Sequence, residues 1–152
     1  MLERRAIDPE TVGLLVGLAV GPGQDGLVAE NAVTLAEAPT VPGSRVWGLW
    51  DGQVPVGLMA MVHPHEYTDH RPGDDAEAAY LWRLMIDAGQ QGRGYGRAAV
   101  AEAKAVAREW GLPRLVATVA DVAHSNIAFY ERLGFRRTGR IVEGEVEITT
   151  DL

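Results

Sequence analysis

Six consecutive residues, Gln91-Gly92-Arg93-Gly94-Tyr95-Gly96, have types and spacing suited to holding an anion. They lie between a strand-like run and a helical one. A helix N-terminus carries unpaired N–H groups and the positive end of the macrodipole, so a phosphate or pyrophosphate is stabilised there. Glycines at 92, 94 and 96 take away side chains that would obstruct a ligand's approach, and Arg93 and Arg97 add positive charge. The plainer reading is a glycine-rich strand-to-helix turn. Two familiar phosphate loops do not match: no Lys-Ser/Thr completes a Walker A pattern. Gly92-x-Gly94-x-Gly96 also lacks the spacing of the dinucleotide fingerprint, which follows the first strand of a parallel unit.

Asn126 and Tyr130 stand four apart and so share one face of a helix. A phenol, with a reference pKa of about 10, is protonated at neutral pH and suits an acid; it suits a core position beside Phe129 as well. Glu66, Asp69, Asp74, Asp75, Glu77 and Tyr80 gather in or beside one polar stretch, and Glu30 and Glu37 lie on an early helical run. Any of them could bind a cation or relay a proton through water, and each also reads as a solvated charge. His63, His65 and His70, with Glu66 and Asp69, carry zinc-ligating groups. Their spacing fits no standard site and Pro64 interrupts them, so no metal is expected. Trp47, Trp50 and Trp82 could line a pocket, although strand aromatics more often fill a core.

These groups need elements to position them. Leu2 to Ile7 is a candidate first strand, and Asp8-Pro9 has the form of a helix start with Asp8 as N-cap. Gly21-Pro22-Gly23 breaks that segment, and Asp25 to Ala38 is expected as a second short helix. Arg45 to Trp50 and Val54 to Val62 read as strands around an Asp51-Gly52 turn. Residues 63–77 read as a loop. In the strand Ala79 to Ile86, the period of two puts Tyr80, Trp82, Leu84 and Ile86 on one face. A helix over about 95–110 follows, with Tyr95, Ala99, Ala103, Val106 and Trp110 on one side, and Gly111 and Pro113 ending it. Leu115 to Ala120 is a strand, Ser125 to Leu133 a short helix, and Phe135–Val142 with Val146–Leu152 a closing hairpin. Mixed helices and strands with hairpins at both ends predict an α+β fold around a central sheet.

The chain of 152 residues suits one domain spanning 1–152. Hydrophobic residues make up 47% and charged residues 23%, which excludes disorder for most of the chain. The net charge of −7 argues against a nucleic-acid partner and favours cations weakly. The absence of cysteine excludes disulfides, thiolate metal sites and a cysteine nucleophile. No run reaches the roughly 20 apolar residues of a membrane span, and no signal-peptide layout is seen, so a cytoplasmic protein is expected.

Gln91, Gly94 and Gly96 together resemble the Gln-x-x-Gly-x-Gly pyrophosphate loop of the GNAT superfamily of N-acetyltransferases. Leu84-Met85-Ile86-Asp87 resembles that family's central strand. Ser125-Asn126-Ile127-Ala128-Phe129-Tyr130-Glu131-Arg132-Leu133-Gly134-Phe135 resembles its second signature, in the right order. Residues 79–140 carry the likeness. Leu81–Asp87, the Gly-Tyr-Gly loop, Arg137-Thr138-Gly139, Gly144-Glu145 and Val28–Ala38 further resemble the spermine/spermidine acetyltransferase-like branch. The resemblance implies a mostly antiparallel sheet flanked by helices, with acetyl-coenzyme A as co-substrate. It implies that the backbone of Leu84, Met85 and Ile86 holds the pantetheine arm and that Gln91, Gly92, Arg93, Gly94, Tyr95 and Gly96 hold the pyrophosphate. Asn126 would contact the arm and Tyr130 would protonate the departing thiolate. The acceptor would be a primary amine, a polyamine first, with Glu30, Glu37, Glu77 and Tyr80 as candidate contacts. An aminoglycoside, amino acid or protein amine is the alternative acceptor, and a non-catalytic acyl-coenzyme A sensor the alternative class. Homodimerisation, common in the superfamily, could use Val146–Leu152 as a sheet edge.

Overall fold

A computed structural model describes residues 1–123 and 125–152. Its seven strands are β1 (Leu2–Ala6), β2 (Ser44–Asp51), β3 (Val54–Val62), β4 (Ala78–Ile86), β5 (Arg114–Val119), β6 (Arg136–Val142) and β7 (Glu145–Asp151). They form one sheet in the order β1-β2-β3-β4-β5-β7-β6. Every neighbouring pair is antiparallel except β4 and β5. Helices α1 (Val12–Val16), α2 (Asn31–Glu37), α3 (Tyr95–Glu109) and α4 (Ile127–Arg132) complete the mixed α+β architecture.

Each face of the sheet has its own core. Ala99, Val100, Ala103, Val106 and Ala107 of α3 pack with Ile127 and Tyr130 of α4 onto Met59, Met61, Leu81, Leu115 and Ile148. The small side chains of α3 let the helix approach the sheet closely. On the opposite face Leu15, Trp50, Leu58 and Met85 form a smaller cluster. Trp47 packs against the main core and Trp50 is buried in the second, so both are structural.

Several expected boundaries move. The early helix starts at Val12, because Asp8 Oδ1 accepts from the N–H groups of Glu10 (2.9 Å) and Thr11 (2.8 Å) and closes a turn first. The second helix begins at Asn31 instead of Asp25, and residues 25–30 form turns and extended chain. In the first hairpin Asp51 pairs with Val54, so Gly52 and Gln53 form the turn. In the closing hairpin the turn is Glu143-Gly144, both with positive φ (51° and 82°), the pattern of a two-residue type I′ turn. Strand β7 lies between β5 and β6, which removes Val146–Leu152 as a sheet edge; β1 and β6 occupy the edges.

The expected common face of Tyr80, Trp82, Leu84 and Ile86 is also corrected. Ala60 pairs with Arg83 and Met61 pairs with Leu81, so Trp82 is an extra residue on β4. This bulge reverses the inside–outside alternation. Leu81, Leu84 and Ile86 meet the core under α3, while Tyr80, Trp82 and Arg83 border cavities beyond it.

Candidate active site

β4 and β5 pair only through Ala78–Arg114, Ala79–Leu115 and Tyr80–Val116. β4 continues to Ile86 alongside β3, and its other edge loses its partner. The open edge borders a cleft of about 350 Å³. Hydrogen-bond alternation fixes which peptide groups face it. Asp87 N–H donates to the Val56 carbonyl at 2.8 Å, and the register runs Gly57–Ile86, Leu58–Met85. In an antiparallel pair bonded and non-bonded positions alternate, so the Met85 peptide groups bond to Leu58. Those of Leu84 and Ile86 turn toward the cleft. Met85 thus lines the cleft through its side chain, and the Leu84 peptide groups and the Ile86 N–H are left to hold a ligand, the Ile86 carbonyl already accepting from the Gln91 side chain.

At the end of β4, Gln91 Nε2 donates to the Ile86 carbonyl at 3.0 Å and to Gln24 Oε1 at 2.8 Å. The Gln91 side chain is a staple that fixes the glycine loop to the strand. Gly92 and Gly94 have φ of 77° and 84°, in the left-handed region that favours glycine, and Gly94 is the N-cap of α3. No atom lies within 4 Å of where a Cβ would stand at either. Gly96 has another reason: a Cβ there would stand 3.2 Å from the Phe129 ring. The loop presents Gln91, Gly92, Gly94, Tyr95, Gly96 and Arg97 to the cleft. Arg93 is exposed and does not border it. Tyr95 O–H donates to Asp51 at 2.6 Å, and this bond, together with the N-terminal ammonium, holds the Asp51 carboxyl below its ordinary pKa.

Asn126 and Tyr130 border the opposite wall. Asn126 caps α4, and Ser125 Oγ accepts from Ile127 N–H at 3.1 Å. The Tyr130 ring is buried edge-on between Phe129 (5.1 Å between centroids) and Phe135 (5.3 Å). Burial pushes its phenol up to about 12. Its hydroxyl has no hydrogen bond among the described residues.

Val20, Gln24, Leu27 and Val28 build the remaining wall and were not anticipated. The segment has neither helical nor strand periodicity, and its place comes from distant partners. Asp87 Oδ1 accepts from Ala19 N–H at 3.0 Å, and Ala88 N–H donates to the Ala19 carbonyl at 2.8 Å.

The four candidate acceptor contacts do not converge. Glu30 borders a pocket beside α1. Glu37 is paired with Arg83 (3.0 Å) and Glu77 with His65 (3.0 Å). Tyr80 borders a second cavity of about 510 Å³, which shares Leu27 and Val28 with the cleft as lining residues. Trp82 also lines that cavity. Of the three histidines, His63 lies 4.8 Å from the Trp110 ring and 5.3 Å from that of His65, its Nδ1 accepting from the His65 N–H at 3.2 Å, while His70 Nε2 donates to the Pro64 carbonyl at 2.7 Å.

Residues 21–135 match the sequence model of the acetyltransferase (GNAT) family. The chain belongs to the GNAT family. Solved structures share its fold. An acetyltransferase from Thermus thermophilus is 23% identical, with a TM-score of 0.71 over 100% of this chain and 97% of that one. AAC(6')-Ib, in complex with ribostamycin and coenzyme A, reaches a TM-score of 0.77 at 14% identity, covering 99% and 93%. The PaiA N-acetyltransferase of Thermoplasma acidophilum, in complex with coenzyme A, is 13% identical, with a TM-score of 0.68 over 100% and 99%. Among curated proteins no significant match is found. No helix among the described residues of this GNAT chain is long and apolar enough to cross a membrane.

Proposed function

We propose that this chain transfers acetyl directly from acetyl-coenzyme A to the primary amine of a small molecule. The supporting observation is the unpaired edge of β4, whose Leu84 and Ile86 peptides open onto a cleft that ends at the α3 N-terminus. A pantetheine arm is an extended chain with amides, so it can add to that edge as a strand would. The α3 amides and Arg97 suit the pyrophosphate. Arg93, outside the cleft, is left out of this assignment; Tyr95 contributes through its backbone at the first helical position.

Acetyl-coenzyme A supplies an activated acyl carbon, and the chain supplies position and charge. A β4 N–H beside the thioester carbonyl stabilises the negative charge that grows on oxygen as the amine attacks. Tyr130 faces the departing sulfur. A thiol has a reference pKa of about 8.5, so full proton transfer from a phenol near 12 would be uphill by roughly 5 kcal/mol. Tyr130 therefore acts by donating a hydrogen bond to the nascent thiolate. The proton that completes the thiol comes from the more acidic amine nitrogen after C–N bond formation. With no cysteine in the chain, direct attack is the economical route.

The acceptor is a small cationic amine. The net charge of −7 favours one, and the solved complex of AAC(6')-Ib with ribostamycin shows this fold beside an aminoglycoside. A polyamine remains a member of the class, without a line of carboxylates from Glu30, Glu37 and Glu77 to read its length. The test is thiol release from acetyl-coenzyme A across spermidine, spermine, phenethylamine, kanamycin and amino acids. Release with at least one amine, cut at least tenfold by Tyr130→Phe, is expected. Coenzyme A binding with no release for any amine would overturn the reading.

A further inference from the structure

The second cavity holds a hydrogen-bonded chain whose direction can be read. Thr118 Oγ1 donates to Glu145 Oε1 at 3.0 Å, since an ionised carboxylate only accepts. Tyr80 O–H lies 3.1 Å from Thr118 Oγ1. The single Thr118 proton is already committed to Glu145, so Tyr80 must be the donor. The Tyr80 oxygen lone pairs are left as acceptors on the cavity wall. All three residues line that cavity, on β4, β5 and β7. Tyr80 is also the last β4 residue paired with β5, so the chain starts where the two strands part.

Two carboxylates on the wall lack an ion pair among the described residues, Asp25 and Glu145, and only Glu145 is joined to Tyr80 through hydrogen bonds. Arg71 pairs with Glu143 at 2.6 Å and Arg83 with Glu37 at 3.0 Å. Glu145 has no ion-pair partner among the described residues and is half-exposed, within reach of bulk water. Asp25, Tyr67, Arg71, Arg83 and Glu143 are the other titratable groups on the cavity wall. Burial raises the Tyr80 phenol above its ordinary pKa, so it stays neutral and passes a proton on without ionising.

We propose that Tyr80, Thr118 and Glu145 form a proton wire that carries the proton of the acceptor's ammonium from the cavity to solvent. This rests on the acetyltransfer reading and adds its missing base. The ammonium donates to Tyr80 Oη. As its N–H bond breaks, the proton joins Tyr80, the Tyr80 proton passes to Thr118, and the Thr118 proton passes to Glu145. Three O–H bonds form while one N–H and two O–H bonds break, leaving a neutral amine and a transiently protonated Glu145. Between an alkyl ammonium and an ordinary carboxyl this step is uphill by about 8 kcal/mol, and it is drawn forward only as Glu145 passes the proton to water and the amine is consumed. The amine then attacks the thioester: C–N forms, C–S breaks, and a second amine proton ends on sulfur. Glu145 returns its proton to water.

The experiment measures kcat/KM from pH 6.5 to 9.5 for the best amine among phenethylamine, spermidine and kanamycin. It compares wild type with Glu145→Gln, Thr118→Val, Thr118→Ser and Tyr80→Phe, and measures coenzyme A affinity for each. An alkyl ammonium has a pKa near 10.4, so a wire matters most at low pH. The Gln, Val and Phe variants are expected to lose about 100-fold at pH 7. The deficit should shrink to about threefold at pH 9.5, where neutral amine is supplied by solvent. Thr118→Ser should remain within about threefold of wild type throughout, and coenzyme A affinity should be unchanged in all four. A loss independent of pH, or no loss in Thr118→Val, would overturn the wire while leaving acetyl transfer intact. Wild type silent with every amine would overturn both.

Discussion

Tyr130 is a neutral phenol across the working pH range because water is excluded from its ring, with Phe129 and Phe135 set edge-on against it. That burial ties it to stability at high pH. With a folded pKa of about 12 against about 10 unfolded, its contribution is complete below pH 10 and is lost as pH rises toward 12. Wild type should lose about 2–3 kcal/mol of unfolding free energy over that interval through this group. Tyr130→Phe should show a shallower alkaline decline in denaturant titrations at pH 9, 10 and 11. Equal slopes would mean that the phenol is hydrated. The same variant should lower kcat by about 10²-fold with coenzyme A affinity held within threefold. Tyr130 and Asn126 were legible in the sequence from their four-residue spacing and signature; the role of Gly96 was not. Its need for glycine comes from Phe129, 33 positions along the chain and brought close only by the packing of α4 against α3.

Among the elements, the α3 N-terminus and the β4 edge were the most legible, since each is a local pattern of a few residues. The wall from Val20 to Val28 was hidden, because long-range bonds hold it. Asp87 is its anchor, accepting from Ala19 N–H through Oδ1 and from Gly89 N–H through Oδ2 (3.2 Å). Asp87→Ala is expected to weaken coenzyme A binding about tenfold with a smaller change in unfolding midpoint; calorimetric titration beside thermal denaturation would check it. Gly94→Ala tests the loop in a different way. At φ 84° an L side chain is strained by about 1–2 kcal/mol, and the strain falls on the residue that opens α3. Affinity for coenzyme A should fall more than for an alanine at Gly13, whose Cβ would also meet open space and whose φ is not positive. The face split in β4 could not be read from periodicity. A bulge is a register event, and register belongs to the pair of strands, so Trp82 alone carries no sign of it.

Across the molecule, the loop of residues 63–77 is tied to the far side of the sheet by ion pairs. Asp75 binds Arg114 of β5, Asp74 binds Arg140 of β6 (3.1 Å), and Arg71 binds Glu143 of the closing turn. Arg114 holds the Asp75 carboxyl below its ordinary pKa, so this stabilisation is present above about pH 4 and fades as pH falls further. Arg114→Ala should therefore lower stability at pH 7 modestly and have little effect near pH 2, where the pair is already lost, giving a shallower acid decline than wild type; denaturant titrations at pH 7, 4 and 2 followed by circular dichroism would decide it. The bulge at Trp82 has a consequence for how such a chain diversifies. On one side of it, peptide groups face the cleft, and every amino acid except proline supplies the same N–H and carbonyl. On the other side, the side chains of Tyr80 and Trp82 face the second cavity. Mutation therefore acts unequally along one strand. Under the proposed reading, it would rewrite which amine is recognised at a cost confined to a few side chains, while the grip on the acyl donor would be written in a part of the polymer that ordinary substitution does not reach.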